Sequence, residues 1–165
     1  MLRLATPADT QAVYAIYMHP EVIPFLGYDA MSQEDFGPVF QELVDCRSFY
    51  IMEREASIAG FCRTTRHPGR ASHVATLGTL AVSPRWHGTG IAMELVNQII
   101  AMLAAQGILR VELMLETDNP RAFAFYSKLG FRQEGLMRAA YKRSTDAHYM
   151  DEILMAKLLG DLRQL

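Results

Sequence analysis

The chain has 165 residues, 16 Lys and Arg against 18 Asp and Glu, a formal net charge of −2 at neutral pH, and 50% hydrophobic residues. That length suits one domain on the rough 100–200-residue prior and buries about 70% of the unfolded surface, enough for a core without staples. The near-neutral charge with no basic cluster argues against nucleic acid as the main partner, and no apolar run approaches the roughly 18 residues needed to span a bilayer.

Met1 leads directly into a strand-like LRLA rather than a charged region and an apolar core, so no secretory leader is expected. Thr6-Pro7 opens a helix carrying Val13, Ile16 and Tyr17 on neighbouring turns, interrupted by Pro20, Pro24 and Gly27. A second helix begins after Ser32, a cap in S-Q-E-D, and ends before Arg47. Strands are expected around Ser48 to Glu53, Ser57 to Arg66 and Ser72 to Val82, split by turns at Glu55-Ala56 and His67-Pro68-Gly69. Gly78 in the last of them suits a bulge, a close backbone approach, or simply a weak spot.

The segment AVSPRWHGTGIAM runs from that strand through a glycine-rich turn into an amphipathic helix beginning near Thr89 or Gly90. Gly88 and Gly90 allow positive φ, so successive amide N–H groups can converge on one point. The unpaired donors of the first helical turn and the positive end of its dipole then favour a phosphate or pyrophosphate. Ile91, Leu95, Ile99 and Leu103 repeat at i+4 along this helix, and Gly107 stops it. Leu109 to Glu116 reads as a strand, and Pro120 to Leu129 as a helix capped by Asn119. Phe131 to Tyr141 and Ala147 to Leu158 form a final pair of strands.

Strands, a crossover helix, a parallel strand, a helix and two more strands give a mixed sheet. The ordered motifs V-x-P-x-W-x-G-x-G-I-A and N-x-x-A-x-x-F-Y-x-K-L-G-F resemble those of the GCN5-related N-acetyltransferase (GNAT) family, and the likeness runs over essentially the whole chain. It implies one domain over residues 1–165 with the α/β (α+β mixed) GNAT acyl-CoA N-acyltransferase fold. Six to seven strands, mostly antiparallel, would carry helices on both faces. Within the family the chain is similar to bacterial acetyltransferases of free amino acids and related small amines, through ASHVATLGTLAVSPRW, VELMLETDNPRAFAFYSKLGFRQEG and HYMDEILMAKLL.

The resemblance implies acetyl-CoA as cosubstrate and a small-molecule amine as partner. The family's pyrophosphate loop, Q/R-x-x-G-x-G/A, fits in two frames, and the one from His87 to Ala92 matches the surrounding pattern. The residues implied at the cofactor are therefore Leu80, Ala81, Val82, His87, Gly88, Thr89, Gly90, Ile91, Ala92 and Asn119. His87 stands where Arg or Gln is usual, with Arg85 close enough in sequence to substitute. Tyr126 matches the family tyrosine that protonates the departing thiolate, a job suited to a phenol with an ordinary pKa near 10. Its plain alternative is core packing beside Ala122 and Leu129. The implied mechanism is direct attack of a neutral amine on the thioester through a tetrahedral intermediate, its oxyanion facing a backbone N–H near Val82.

A glutamate found in some protein-acetylating relatives, five positions before the Asn, is Met114 here. Glu112 and Glu116 share its strand face, leaving Glu116 or a water as base. No metal is expected, since His19, His67, His73, His87 and His148 are scattered and Cys46 and Cys62 lack ligand spacing; such cysteines suit reduced thiols in the cytoplasm. Substrate identity is assigned to HPEVIPFLGYDAM and YKRSTDAHYMDE, neither with a strong acidic cluster. Arg138, Lys142 and Arg143 would meet a carboxylate or simply solvent. Asp151 either pins the terminal strand or contacts substrate. Protein N-terminal acetylation and a non-catalytic acyl-CoA-binding regulatory role are the competing readings, and family members often form homodimers, which an exposed strand edge makes cheap.

Overall fold

A computed structural model describes residues 1–160. Its strands are β1 (Leu2–Leu4), β2 (Phe49–Arg54), β3 (Ser57–Arg66), β4 (Val74–Val82), β5 (Arg110–Glu116), β6 (Arg132–Tyr141) and β7 (Met150–Leu158). The helices are α1 (Thr10–Tyr17), α2 (Gln33–Asp45), α3 (Ile91–Ala105) and α4 (Pro120–Lys128). The strands form one seven-stranded mixed sheet in the order β1-β2-β3-β4-β5-β7-β6. Sequence order breaks once, where β7 inserts between β5 and β6.

The chain divides into two compact units. The first comprises residues 1–64 and 78–99. Its core joins Val13, Ile16 and Tyr17 of α1, Phe36, Phe40 and Leu43 of α2, and Phe49, Ile51, Phe61 and Ala81 of the strands. Five aromatic rings run through it in contact, from Tyr17 against Phe36 and Phe61 to Phe40 against Phe49. The Ser32 hydroxyl accepts from the Asp35 N–H, the cap expected for α2. Pro7 to Asp9 forms a tight 3-10 turn before α1, so the first helix starts three residues later than Thr6-Pro7 alone suggests.

The second unit comprises residues 65–77 and 100–165, described here to residue 160. Within it β4 and β5 pair in parallel from Val74↔Arg110 to Leu77↔Leu113, where the ladder ends. β5 then pairs antiparallel with β7 along its whole length, from Arg110↔Leu158 to Glu116↔Glu152. Val111, Leu113 and Leu115 alternate into the core, while Glu112, Met114 and Glu116 take the other face. β7 begins at Met150, three residues later than expected, because Arg143 and Asp146 close a turn: the Asp146 N–H donates to the Arg143 carbonyl, and the Arg143 N–H to Asp146 Oδ2.

Candidate active site

In the first unit, β4 departs from regular strand geometry at Thr79, whose φ is +49°. A β-branched residue there is a backbone outlier worth about 1–3 kcal/mol. The irregularity thought of for Gly78 therefore falls one residue later, immediately before Leu80, Ala81 and Val82. β3 flanks this stretch closely. A Cβ added to Gly60 would stand 2.7 Å from the Ala81 carbonyl oxygen, so only glycine fits.

After Val82 a 3-10 turn over Pro84–Trp86 leads into His87. The Thr89 hydroxyl and N–H both donate to the Trp86 carbonyl, at 2.7 and 3.4 Å, which closes the loop. Gly88 and Gly90 have φ of +75° and +89°, and an added Cβ at either would meet nothing within 4 Å. Their demand for glycine is conformational, and the space above them is open. The first helical bond of α3 runs from Glu94 N–H to Gly90 O, so the N–H groups of Ile91, Ala92 and Met93 precede any intrahelical acceptor. Ile91 is buried and anchors this end. A pyrophosphate fits such a turn: small residues, open space and a helix start directed at it.

The two side chains considered for the phosphates have other partners. His87 Nε2 lies 2.9 Å from the Val82 carbonyl, an acceptor only, so that nitrogen carries a proton and donates it. Its Nδ1 sits 3.8 Å from Glu21. Arg85 binds Glu55 at 2.8 Å and lies over the Trp86 ring. The anion-binding capacity of the loop is thus mostly backbone, and His87 ties the turn to the end of β4.

In the second unit, Asn119 caps α4, its side-chain oxygen accepting from the Ala122 N–H at 3.0 Å, with Pro120 at the first helical position. Tyr126 is 8% exposed and packs edge-on against Phe125 and Phe131. Glu112 bonds Arg110 and lies 3.4 Å from His67, a structural pairing. Glu116 differs: burial raises its carboxyl above the ordinary range, opposed by the Arg143 cation. It faces Glu152 directly across the β5–β7 ladder, and Glu152 is also raised by burial.

The final hairpin is pinned. Arg143 binds both oxygens of Asp118, at 2.9 and 3.2 Å, and Asp146 at 3.7 Å. Lys142 lies over the Tyr149 ring. Asp151 Oδ1 accepts from the Ala139 N–H, whose residue has φ of +52°, and the Asp151 carbonyl accepts from Thr117. The Asp151 side chain thus ties the terminal strand β7 to β6, the first of the two roles considered for it. Among the described residues no group of three or more His, Cys, Asp or Glu is placed to hold a metal ion, and no helix is long and apolar enough to cross a membrane.

Sequence reasoning missed Thr79, because the neighbouring Gly78 draws any expectation of irregular backbone to itself.

Comparison with known proteins agrees with this architecture. An uncharacterized N-acetyltransferase of Mycobacterium tuberculosis is 38% identical over 82 residues, 44% of this chain and 53% of that protein. The chain thus spans about half the length of the first curated relatives it matches. N-alpha-acetyltransferase RimI of the same organism is 31% identical over 131 residues, covering 76% of this chain and 77% of that one. The crystal structure of ribosomal-protein-alanine N-acetyltransferase from Brucella melitensis superposes with a TM-score of 0.78 at 20% identity, over 96% of this chain and 99% of the other. A GNAT superfamily phosphinothricin acetyltransferase from Sinorhizobium meliloti, solved in complex with AcCoA, gives 0.76 at 19% identity, over 97% and 88%. The model of the acetyltransferase (GNAT) family matches residues 10–131, and the chain belongs to that family.

Proposed function

We propose that the chain is an acetyl-CoA-dependent N-acetyltransferase, working as one domain over residues 1–165, whose acceptor is the primary amine of a small molecule, a free amino acid or related compound. The observation that carries this reading is the turn from His87 to Ala92. Two positive-φ glycines with open space above them lead into the free N–H groups of α3, which is a cradle for a pyrophosphate.

Bound acetyl-CoA would supply an acetyl group already activated as a thioester. Gly88, Gly90, Ile91 and Ala92 would hold its phosphates through backbone N–H groups, with Thr89 fixing the loop through its bonds to Trp86, and Leu80, Ala81 and Val82 would hold the pantetheine arm through main-chain groups. Asn119 contributes near that arm. The backbone N–H near Val82 faces the oxyanion that develops as the amine attacks, and Tyr126 gives its phenolic proton to the departing sulfur. Glu116 accepts the proton the amine loses. A carboxyl raised by burial is a better base near neutrality than an ordinary one. Holding amine and thioester in line supplies the larger part of the acceleration, about 7–11 kcal/mol in well-oriented cases. The enzyme is read as cytoplasmic, with pairing of two copies at a sheet edge; β1 and β6 are the edge strands.

A second acceptor class has one observation in its favour, the likeness to an N-alpha-acetyltransferase over 76% of the chain. Met114 in place of the glutamate counts against it. Release of free coenzyme A measured over free amino acids and short peptides separates the two: turnover confined to amino acids supports the first reading, and turnover confined to peptides replaces it with the second. Tight binding of acetyl-CoA without turnover on any amine would overturn both in favour of a regulatory acyl-CoA-binding module.

A further inference from the structure

The first unit holds two buried polar atoms that acetyl transfer leaves without a task. Tyr17 Oη and Arg63 Nε are both shut off from solvent, and neither has a hydrogen-bond partner among the described residues. Tyr17 ends α1 and has no exposed surface at all. Its ring stacks on Phe61 of β3 at 5.9 Å and tilts against Tyr28 at 6.4 Å. Phe61 and Arg63 are two residues apart on one strand, so both side chains leave the same face, and Arg63 emerges beside the Tyr17 ring. The Arg63 cation is felt at the Tyr17 phenol, opposing the rise that burial and Tyr28 impose.

Among the described residues Arg66, Arg132 and Arg138 also lack a carboxylate but are exposed, whereas Arg63 is half-buried, and it contrasts with the other partly buried arginines, which are ion-paired. Arg3, Arg110 and Arg143 each hold two carboxylates. Among the described residues no carboxylate forms an ion pair with Arg63. The guanidinium N–H is a donor only and the phenol O–H a donor as well as an acceptor; both are desolvated and unpartnered, and an anion within reach of both would give them a shared acceptor. The Tyr17 phenol has no exposed surface, but its neighbours reach outward: Arg63 is half-buried, and Tyr28 is 45% exposed within the segment joining α1 to α2. The Arg63 strand also flanks, within the first unit, the main chain proposed to hold the pantetheine arm. Cys62 Sγ lies 3.8 Å from the Gly78 carbonyl, and the Ala59 carbonyl accepts from the Ser83 N–H, so β3 runs directly alongside 78–83.

We propose that Arg63, Tyr17 and Tyr28 form an anion subsite that receives the carboxylate of the acceptor, so that the protein selects α-amino acids over amines that lack this group. The inference rests on the acetyl-transfer reading and names its substrate class. The planar guanidinium fork matches a carboxylate, and the phenol adds a second donor of fixed direction. Tyr28 closes the outer side.

Two arms test it. In turnover, an amino acid is compared with its carboxamide and with the corresponding amine lacking the carboxyl carbon. The free acid should exceed the amide by at least about 10-fold in kcat/KM, the worth of a charged hydrogen-bonded contact. Arg63→Met should bring the acid down to the amide's level while leaving the amide within about twofold. Arg63→Lys should restore part of the preference, and Tyr17→Phe should raise KM for the acid about fivefold with kcat held. In binding, titration calorimetry of N-acetylglycine against N-acetylglycinamide reads the subsite without any chemistry, and the difference should vanish in Arg63→Met. Equal turnover of acid and amide by the unsubstituted protein, or equal loss of both in Arg63→Met and Tyr17→Phe variants of normal circular dichroism, overturns the subsite and leaves acetyl transfer standing. Carboxylate-selective binding that depends on Arg63, without turnover on any amine, upholds the subsite and overturns acetyl transfer.

Discussion

Arg3 and Arg63 leave the same sheet within the same compact unit and meet opposite surroundings. Arg3 makes a two-pronged contact with Asp9, at 2.8 and 2.9 Å, and reaches Glu53 through Nη2 and Nε at 2.7 and 2.9 Å. Asp9 in turn accepts from the N–H and hydroxyl of Thr6. Each Arg3 side-chain nitrogen and both Asp9 carboxylate oxygens are matched inside the protein, and the cluster clamps β1, the turn before α1 and β2. Arg63 has the same chemistry and no such match. A charge answered from within holds the fold; the one left unanswered beside a buried phenol is the one we assign to a ligand. The same contrast separates Glu112, tied to Arg110 and His67, from Glu116, raised by burial and facing another carboxylate.

The largest break in this comparison is expected at Asp9. Asp9→Ala leaves Arg3 half-buried with one partner fewer and removes the Thr6 cap, and should lower unfolding free energy by about 3 kcal/mol in chemical denaturation. Arg63→Met, by contrast, removes an orphaned donor and should stay within about 0.5 kcal/mol of the unsubstituted protein. Equal losses at the two sites would erase the distinction.

Tyr126→Phe comes next. It should reduce kcat about 100-fold, near 2.7 kcal/mol, while stability shifts little because the ring and its contacts with Phe125 and Phe131 persist. An unchanged rate and pH profile would reduce Tyr126 to a core residue. Gly90→Ala forces a side chain into a backbone at φ +89° and should weaken acetyl-CoA binding about 10-fold, read by calorimetry, through distortion rather than collision, since the space is open.

The smallest effect is on acid stability. The Arg3 guanidinium, together with the Thr6 N–H and hydroxyl, holds the Asp9 carboxyl below its ordinary 3.8 against the opposing effect of burial. A depressed carboxyl contributes its full stabilisation above the unfolded-state value and loses it as pH falls through the lower folded-state value. Asp9→Asn should therefore flatten the fall in stability below about pH 4, followed by thermal melts across that range.

Much of this was legible in the residues because it is local. Ser32 three residues before Asp35, and Asn119 before Pro120, announce the caps that the hydrogen bonds then display. The alternation in RVELMLE gives both the strand and its buried face. The glycine turn and the long helix after it follow from composition and period alone, although the intervening 3-10 turn at Pro84–Trp86 does not. Strand order was another matter. Nothing in β6 or β7 says that β7 lies between β5 and β6, because that pairing is settled by long-range packing. The roles of His87 and Arg85 were equally hidden: each sits at the right place in the motif, yet each side chain is claimed by a group brought near only by folding, Val82 O and Glu55. Arg63 stayed silent for the same reason. An arginine without a carboxylate is visible only once its surroundings are known.

The measurement that bears most directly on this account is release of free coenzyme A from acetyl-CoA with free amino acids as acceptors, run on the unsubstituted protein and on Tyr126→Phe side by side. The account predicts turnover with amino acids and an approximately 100-fold loss in the variant. Turnover that survives the substitution unchanged, or no turnover despite tight binding of acetyl-CoA, would contradict it.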